Sequence, residues 1–295
     1  MCATCGCSDD SETRLTDLQS GETIVLNPPH DHQHPHDHHH DHDHGHGNGH
    51  HHHHDHDHVD GHAHPHQHGT VISLEQEVLA RNNRLAERVR GWLAGRDILA
   101  LNLVSSPGAG KTTLLERTIS DLGREIPISV IEGDQQTLHD AQRIQATGCR
   151  VVQINTGTAC HLDASMMGRA LQQLDPPQGS VVMIENVGNL VCPALFDLGE
   201  RAKVVIVSVT EGDDKPIKYP HMFRASEVMI LNKIDLLPYV HFDVERCLHF
   251  ARKVNPKIQI IEVSATRGDH LEDWYGWLRA GRTASGRGAV RLTRV

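Results

Sequence analysis

The nine residues Ser105-Ser106-Pro107-Gly108-Ala109-Gly110-Lys111-Thr112-Thr113 follow directly on the apolar run from Ile98 to Val104. A buried strand, a glycine-containing turn and the start of a helix, in that order, build a cradle for phosphate. Gly108 and Gly110 let backbone N–H groups turn inward around a polyphosphate, Lys111 reaches the β- and γ-phosphates, and the Thr112 hydroxyl is placed to ligate Mg²⁺. The helix opening at Lys111 adds its positive end. The nucleotide-contacting set expected here is Gly108, Ala109, Gly110, Lys111, Thr112 and Thr113. The usual pattern opens with glycine, and Ser105 holds that place.

Downstream, apolar runs of strand length alternate with helical patterns: Ile98 to Val104, Ile128 to Ile131, Val151 to Ile154, Val181 to Ile184, Val204 to Val209, Val228 to Leu231 and Ile258 to Val263. Strands buried on both faces and separated by helices predict an α/β fold, a three-layer P-loop NTPase with a mostly parallel central sheet. Ligands bind such sheets at the C-terminal strand ends, where every motif below falls. Just upstream, Ser73 with Gln76 reads as a capping box. Leu74, Val78, Leu85, Val89, Trp92 and Leu93 then recur at helical spacing as far as Gly95, predicting an amphipathic helix packed on the domain that follows.

The N-terminal part is different in kind. Of the net charge of −10, residues 1–80 carry −13 and the remainder +3. A mildly basic globular part suits a nucleotide anion, and with no Lys/Arg stripe or interleaved aromatics it offers nothing to nucleic acid. No segment approaches the roughly 18 apolar residues of a membrane span, and the first residues lack a basic and apolar leader, so a cytoplasmic protein is expected. In that compartment the seven cysteines are read as thiols and metal ligands.

Cys2, Cys5 and Cys7 form C-x-x-C-G-C, in which two thiols at i and i+3 close on one ion and Gly6 folds the backbone back for the third. With the terminal amine they complete a four-coordinate site for Ni²⁺ or Zn²⁺; a redox C-x-x-C is the competing reading, but no thioredoxin-like unit follows. Residues 8–29 are polar and unpatterned, and read as linker. From His30 to His68 the chain holds 21 of its 27 histidines and seven aspartates. Such a composition cannot bury a core and is expected to be disordered without metal. At ordinary ligand counts it holds about five to ten ions, which suits storage. The expected organisation is therefore a Cys motif and linker at 1–29, a disordered His-rich metal-binding segment at 30–69, and a GTPase domain at 70–295.

Three further motifs sit at strand ends. Asp134, in the run Glu132 to Thr137, is placed to order a Mg²⁺-bound water or to orient the attacking water, with an ordinary turn as the alternative. Glu185, followed by Gly188, resembles a Walker B and switch II arrangement with Glu for the usual Asp. Asn232-Lys233-Ile234-Asp235 has the N-K-x-D pattern, in which the Asp235 carboxylate accepts two hydrogen bonds from guanine that adenine does not offer. Ser264-Ala265-Thr266 looks like the loop that closes over guanine O6. In combination these motifs point to a GTPase with Lys111, Thr112, Asp134 and Glu185 as the catalytic set. Cys160, His161 and Cys192 place soft ligands on loops that sense the nucleotide; a shell completed across a dimer interface suits them. Cys149 and Cys247 read as structural.

The N-terminal cysteines, Ser105 to Thr113, Glu132 to Thr137, Cys160-His161-Leu162-Asp163, Glu185 to Pro193 and Asn232 to Asp235 together resemble the hydrogenase nickel-incorporation GTPases of the HypB type. The resemblance implies a dimerising P-loop GTPase that uses GTP and Mg²⁺ to place nickel in the large subunit of a nickel-iron hydrogenase. It also implies a zinc or nickel site at Cys160, His161 and Cys192 near the dimer interface, a separate nickel site at Cys2, Cys5 and Cys7, and a small zinc-containing partner of the HypA type. The His-rich tract resembles a nickel store found in some members. A urease-type nickel GTPase, a metal store with little GTPase activity, and an ATP-dependent kinase or transporter subunit are the competing functions.

Overall fold

The computed structural model describes residues 12–26, 68–135 and 138–289. Cys2, Cys5 and Cys7, the histidine tract up to residue 67, and Gln136 and Thr137 lie outside the described residues. Among the described residues nine strands form one sheet: β1 (Arg14–Asp17), β2 (Thr23–Val25), β3 (Leu99–Ser105), β4 (Ile128–Asp134), β5 (Arg150–Asn155), β6 (Val181–Glu185), β7 (Ala202–Ser208), β8 (Val228–Asn232) and β9 (Gln259–Glu262). Their spatial order is β2-β1-β5-β4-β6-β3-β7-β8-β9. All pairings from β5 to β9 are parallel; β1 is antiparallel to both β5 and β2. All seven strands expected from the apolar runs are present.

Alternation along the strands divides the core between two faces. Leu99, Leu101 and Leu103 of β3 pack with Leu114, Leu115, Ile119 and Leu122 of α2 (Lys111–Leu122), Ala141 and Ile144 of α3 (His139–Gln145), and Leu271, Trp274 and Leu278 of α8 (Leu271–Ala289). Ala100 points the other way, toward Val89 and Leu93 of α1 (His68–Gly95) and Met167, Ala170 and Leu171 of α4 (Ala164–Leu174). On that second face β7 and β8 are covered by Met222 and Phe223 of α6 (Pro220–Ala225) and by Cys247, Leu248 and Ala251 of α7 (Val244–Val254). The short helix α5 (Lys215–Lys218) leads into α6. Helix, sheet and helix give the three layers, with nearly every central-strand side chain buried by one of them.

Two expectations fail locally. The stretch read as linker carries the β1–β2 hairpin, in which Leu15 stands opposite Ile154 of β5 and only 2% of its surface is exposed. The backbone N–H of Leu26 donates to the Thr13 carbonyl, and Arg169 donates to the Leu26 carbonyl. The hairpin extends the sheet by two strands and leaves the three-residue strand Thr23–Val25 at the edge, a length that limits pairing with other chains. In α1, Ser73 is interior rather than the cap, because the helix begins at His68. Between Pro65 and Ser73 only the modest cost of Gly69 opposes helical backbone, so the helix runs through the local stop-start signal. Val78, expected on the buried stripe, is exposed, while Ala86, Val89 and Leu93 are buried.

Candidate functional site

β3 ends at Ser105, and the chain turns through Pro107 and Gly108 into α2 at Lys111. Gly110 has φ +95°, and a Cβ there would stand 2.5 Å from Asn232 Nδ2, so the loop needs glycine for both conformation and space. Ser105, in the place glycine usually holds, is fully buried and its hydroxyl accepts a 3.1 Å hydrogen bond from Lys111 Nζ. The lysine is thereby laid along the loop it serves. Gly108, Ala109, Gly110, Lys111, Thr112 and Thr113 line a cavity of about 520 Å³, within the range of small-molecule sites. Glu132, Asp134, Asp140, Arg143, Cys160, Glu185, Asn186, Asn189 and Lys233 also stand in its wall.

Carboxylates crowd the phosphate end. The Thr112 hydroxyl donates to Glu185 Oε1 at 2.8 Å, while Glu185 Oε2 and Glu132 Oε2 are buried without a hydrogen-bond partner among the described residues. Burial, then the nearby Glu185 and Asp134 charges, push the Glu132 carboxyl up to about 9. Burial likewise raises Glu185 to about 7, opposed by Lys111 and by the Thr112 hydrogen bond. Arg143 is committed to Glu116, at 3.1 and 2.6 Å, and to Asp140 at 3.3 Å. Orphaned hard oxygens beside a phosphate cradle form a donor set that fits Mg²⁺.

The N-K-x-D motif, Asn232 to Asp235, is tied to this loop. Asn232 Nδ2 donates to the Ala109 carbonyl at 2.9 Å, and its Oδ1 accepts from the N–H groups of Lys233 at 2.8 Å and Ala265 at 3.1 Å. One buried side chain therefore joins the phosphate loop, N-K-x-D and the Ser264-Ala265 loop. Lys233, at φ +63°, reaches back to the Gly108 carbonyl at 2.7 Å. Ser264 is buried and its hydroxyl accepts from the Arg267 N–H. Asp235 lies one step farther out, in an adjoining cavity of about 750 Å³ that it shares with Arg267, Asp269 and Asp273.

At the opposite margin Cys160, His161 and Cys192 come together, their ligand atoms all within 4.8 Å of one another. The sulfurs of Cys160 and Cys192 are 3.1 Å apart, and Cys160 Sγ is 3.9 Å from His161 Nδ1. The His161 ring stacks on Phe196, and burial lowers its pKa, favouring the neutral imidazole that binds metal. Cys149 and Cys247 are buried elsewhere, each thiol pushed up to about 12 by desolvation, in keeping with structural roles.

Residues 99–262 match the family model for the CobW/HypB/UreG nucleotide-binding domain. The hydrogenase maturation factor HypB of Escherichia coli strain K12 is 57% identical over 214 residues, covering 72% of this chain and 74% of its own. This chain belongs to the HypB family of hydrogenase maturation factors. Among solved structures, HypB from Archaeoglobus fulgidus matches with a TM-score of 0.65 at 41% identity, over 69% of this chain and 99% of that one. HypB from Helicobacter pylori, solved in complex with nickel, matches with a TM-score of 0.65 at 36% identity, over 73% and 99% of the two chains. The fold is thus the HypB-type P-loop GTPase fold, and the cavity belongs to a family of nucleotide-hydrolysing proteins. No helix among the described residues is long and apolar enough to cross a membrane.

Several wall residues escape a motif-led reading. Glu132 opens the run Glu132 to Thr137 but is not singled out within it, although a carboxylate at the end of an apolar strand run is a signal available in the sequence. Asp140, Arg143 and Asn189 carry no such mark, because their places in the wall depend on how α3 and the loop after β6 pack.

Proposed function

We propose that this HypB-family protein is a GTP-hydrolysing nickel metallochaperone that delivers nickel into the large subunit of a nickel-iron hydrogenase. The observation that carries the reading is the position of Cys160, which lines the phosphate cavity and also belongs to the Cys160–His161–Cys192 cluster. A metal held there sits on the same loops as the nucleotide. Sulfur and neutral imidazole are soft or borderline donors, suited to Ni²⁺ or Zn²⁺. Three donors leave a tetrahedral or square shell short of a ligand, which favours completion by a second copy in a homodimer.

Lys111 and the loop amides bind the β- and γ-phosphates and stabilise the charge that develops on them, Asp134 orients the attacking water, and Asp235 selects guanine. Thr112, with Asp134 and Glu185 linked through water, would hold Mg²⁺, which would supply neutralisation of phosphate charge. GTP orders the loops carrying Cys160, His161 and Cys192; hydrolysis relaxes them and releases the metal. Cys2, Cys5 and Cys7 form a second nickel site, the His-rich segment stores nickel, and a HypA-type zinc protein exchanges nickel with the chain in the cytoplasm.

Deleting the gene is expected to abolish nickel-iron hydrogenase activity, leave urease active, and be compensated by excess nickel in the medium. Hydrogenase activity that survives the deletion at low nickel refutes the reading; loss of urease alone assigns the protein to the urease pathway.

A further inference from the structure

Four polar side chains run through the sheet behind the phosphate loop without touching phosphate chemistry at their far end. Glu200 and Asn102 are buried, as is Asn186 immediately after Glu185. Asn102 Nδ2 donates to Glu200 Oε1 at 3.1 Å, and Lys203 Nζ lies 2.7 Å from the same oxygen. Glu200 Oε2 accepts from the Leu198 N–H. An ionised carboxylate only accepts, so the Asn102 amide must turn its NH₂ toward Glu200 and its oxygen toward Asn186. The Asn186 NH₂ then donates to Asn102 Oδ1 at 3.1 Å, which leaves Asn186 Oδ1 facing forward.

That oxygen accepts from two loops at once: the Val187 N–H at 2.9 Å and the Leu162 N–H at 3.4 Å. A second asparagine closes the same seam. Asn189 Nδ2 donates to the Cys160 carbonyl at 3.3 Å, and its Oδ1 accepts from the Val191 N–H at 2.9 Å. Leu162 follows His161, and Val191 precedes Cys192. Gly188, between the two asparagines, lies so close to the phosphate loop that a Cβ would stand 3.0 Å from Pro107 Cγ. The loops bearing the soft ligands are therefore one hydrogen-bonded unit, continuous with Glu185 and through it with Thr112. Buried amides and charges are costly where apolar side chains would pack, and this chain of them is partnered along its length.

We propose that Asn186 and Asn189 are positioning residues that make the Cys160–Leu162 and Val187–Cys192 loops move together with Glu185, so that the nucleotide sets the geometry of the metal ligands. The inference rests on the reading that nucleotide and nickel are linked, and names the side chains that carry the link.

The test uses the full chain with Cys2, Cys5 and Cys7 each changed to Ala, so that sulfur-to-nickel charge-transfer absorption reports Cys160 and Cys192. Ni²⁺ affinity is measured with GDP and with a non-hydrolysable GTP analogue. The parent chain is expected to show a difference of about tenfold or more between the two states, within the usual range of coupling between sites. Asn189→Asp keeps the bond from Val191 and replaces the donation to Cys160 by a charged oxygen facing that carbonyl; it is expected to bring the difference below about threefold, as is Asn186→Ala. Should Asn186→Ala fail to fold, Asn189→Asp decides alone. A variant that weakens nickel equally in both nucleotide states, leaving the ratio as in the parent, overturns the positioning role. A parent chain with no difference between states instead refutes the nucleotide–nickel link itself, and the inference falls with it.

Discussion

Replacing Asn232 by Ala tests whether one buried amide holds the nucleotide site together. Its side chain is 1% exposed and makes three hydrogen bonds, to the Ala109 carbonyl and from the N–H groups of Lys233 and Ala265. Lys233 is half-buried and its N–H regains water, but Ala109 and Ala265 are buried and their groups lose their partner. Two stranded buried groups cost about 2–6 kcal/mol in sum, toward the lower end if a water enters the space left by the amide. For a domain of this size that lowers the melting temperature by roughly 5–15 °C. The loop also loses its preset position, so GDP and a GTP analogue are expected to weaken together, by about tenfold or more. Lys233→Ala removes an exposed tie to the same loop, the bond to the Gly108 carbonyl, and is expected to cost less than about 1 kcal/mol. Thermal unfolding by circular dichroism and nucleotide titration with a fluorescent analogue measure both effects. An Asn232→Ala protein that melts with the parent and keeps its nucleotide affinity refutes the reasoning, as does a larger loss from Lys233→Ala.

Asp235→Asn exchanges an acceptor pair for a donor, so GTP affinity is expected to fall by roughly 100-fold while xanthosine triphosphate, which presents a carbonyl in place of the 2-amino group, gains; unchanged preference for guanine in a competition assay contradicts the assignment. Cys149 and Cys247, with thiols near 12, remain protonated at pH 8 and are expected to stay unalkylated until the protein is denatured, whereas Cys160 reacts and is protected by nickel. Peptide mass spectrometry after a timed iodoacetamide pulse reads this, and faster labelling of Cys149 than of Cys160 counts against it. Thr118→Val strips the partner from the buried Trp274 indole N–H, now 3.0 Å from the Thr118 hydroxyl, and is expected to cost about 1–3 kcal/mol in urea unfolding, with Thr118→Ser close to the parent.

How much of this was legible in the chain differs by element. The central strands announced themselves, because a parallel sheet covered on both faces needs runs such as Val228 to Leu231 with no polar alternation. The hairpin did not: Leu15 is the one buried apolar residue of β1, and a four-residue strand whose other members are polar has the composition of a loop. Residue types at the metal cluster were legible and their meeting was not. Cys160 and Cys192 are 32 positions apart, and only the adjacency of β4, β5 and β6 brings the loops that follow them into register. The buried chain from Glu200 to Asn186 was half visible, since Asn102 interrupts an apolar strand, but its direction depends on amide orientations that no spacing encodes.

The placement of donor types around the cavity separates the two metals that the proposed function calls for. Oxygen donors gather at the phosphate end, where Glu132, Asp134, Asp140 and Glu185 face Lys111 and Thr112. Sulfur and imidazole stand at the margin, on Cys160, His161 and Cys192. A hard ion that keeps its waters prefers the first set, and a borderline ion that trades water for sulfur prefers the second. When ionised, these four carboxylates outnumber the cations of the cavity wall, Lys111, Arg143 and Lys233, and Arg143 is shared with Glu116. A polyphosphate arriving alone adds negative charge to that surplus, whereas one arriving with Mg²⁺ relieves it. Excess Mg²⁺ is therefore expected to strengthen GTP binding without displacing Ni²⁺ from the thiols, and Ni²⁺ without Mg²⁺ to leave GTP weakly held. Displacement of thiolate-bound nickel by millimolar Mg²⁺, followed through the charge-transfer band, would show that the two donor sets are not separate sites.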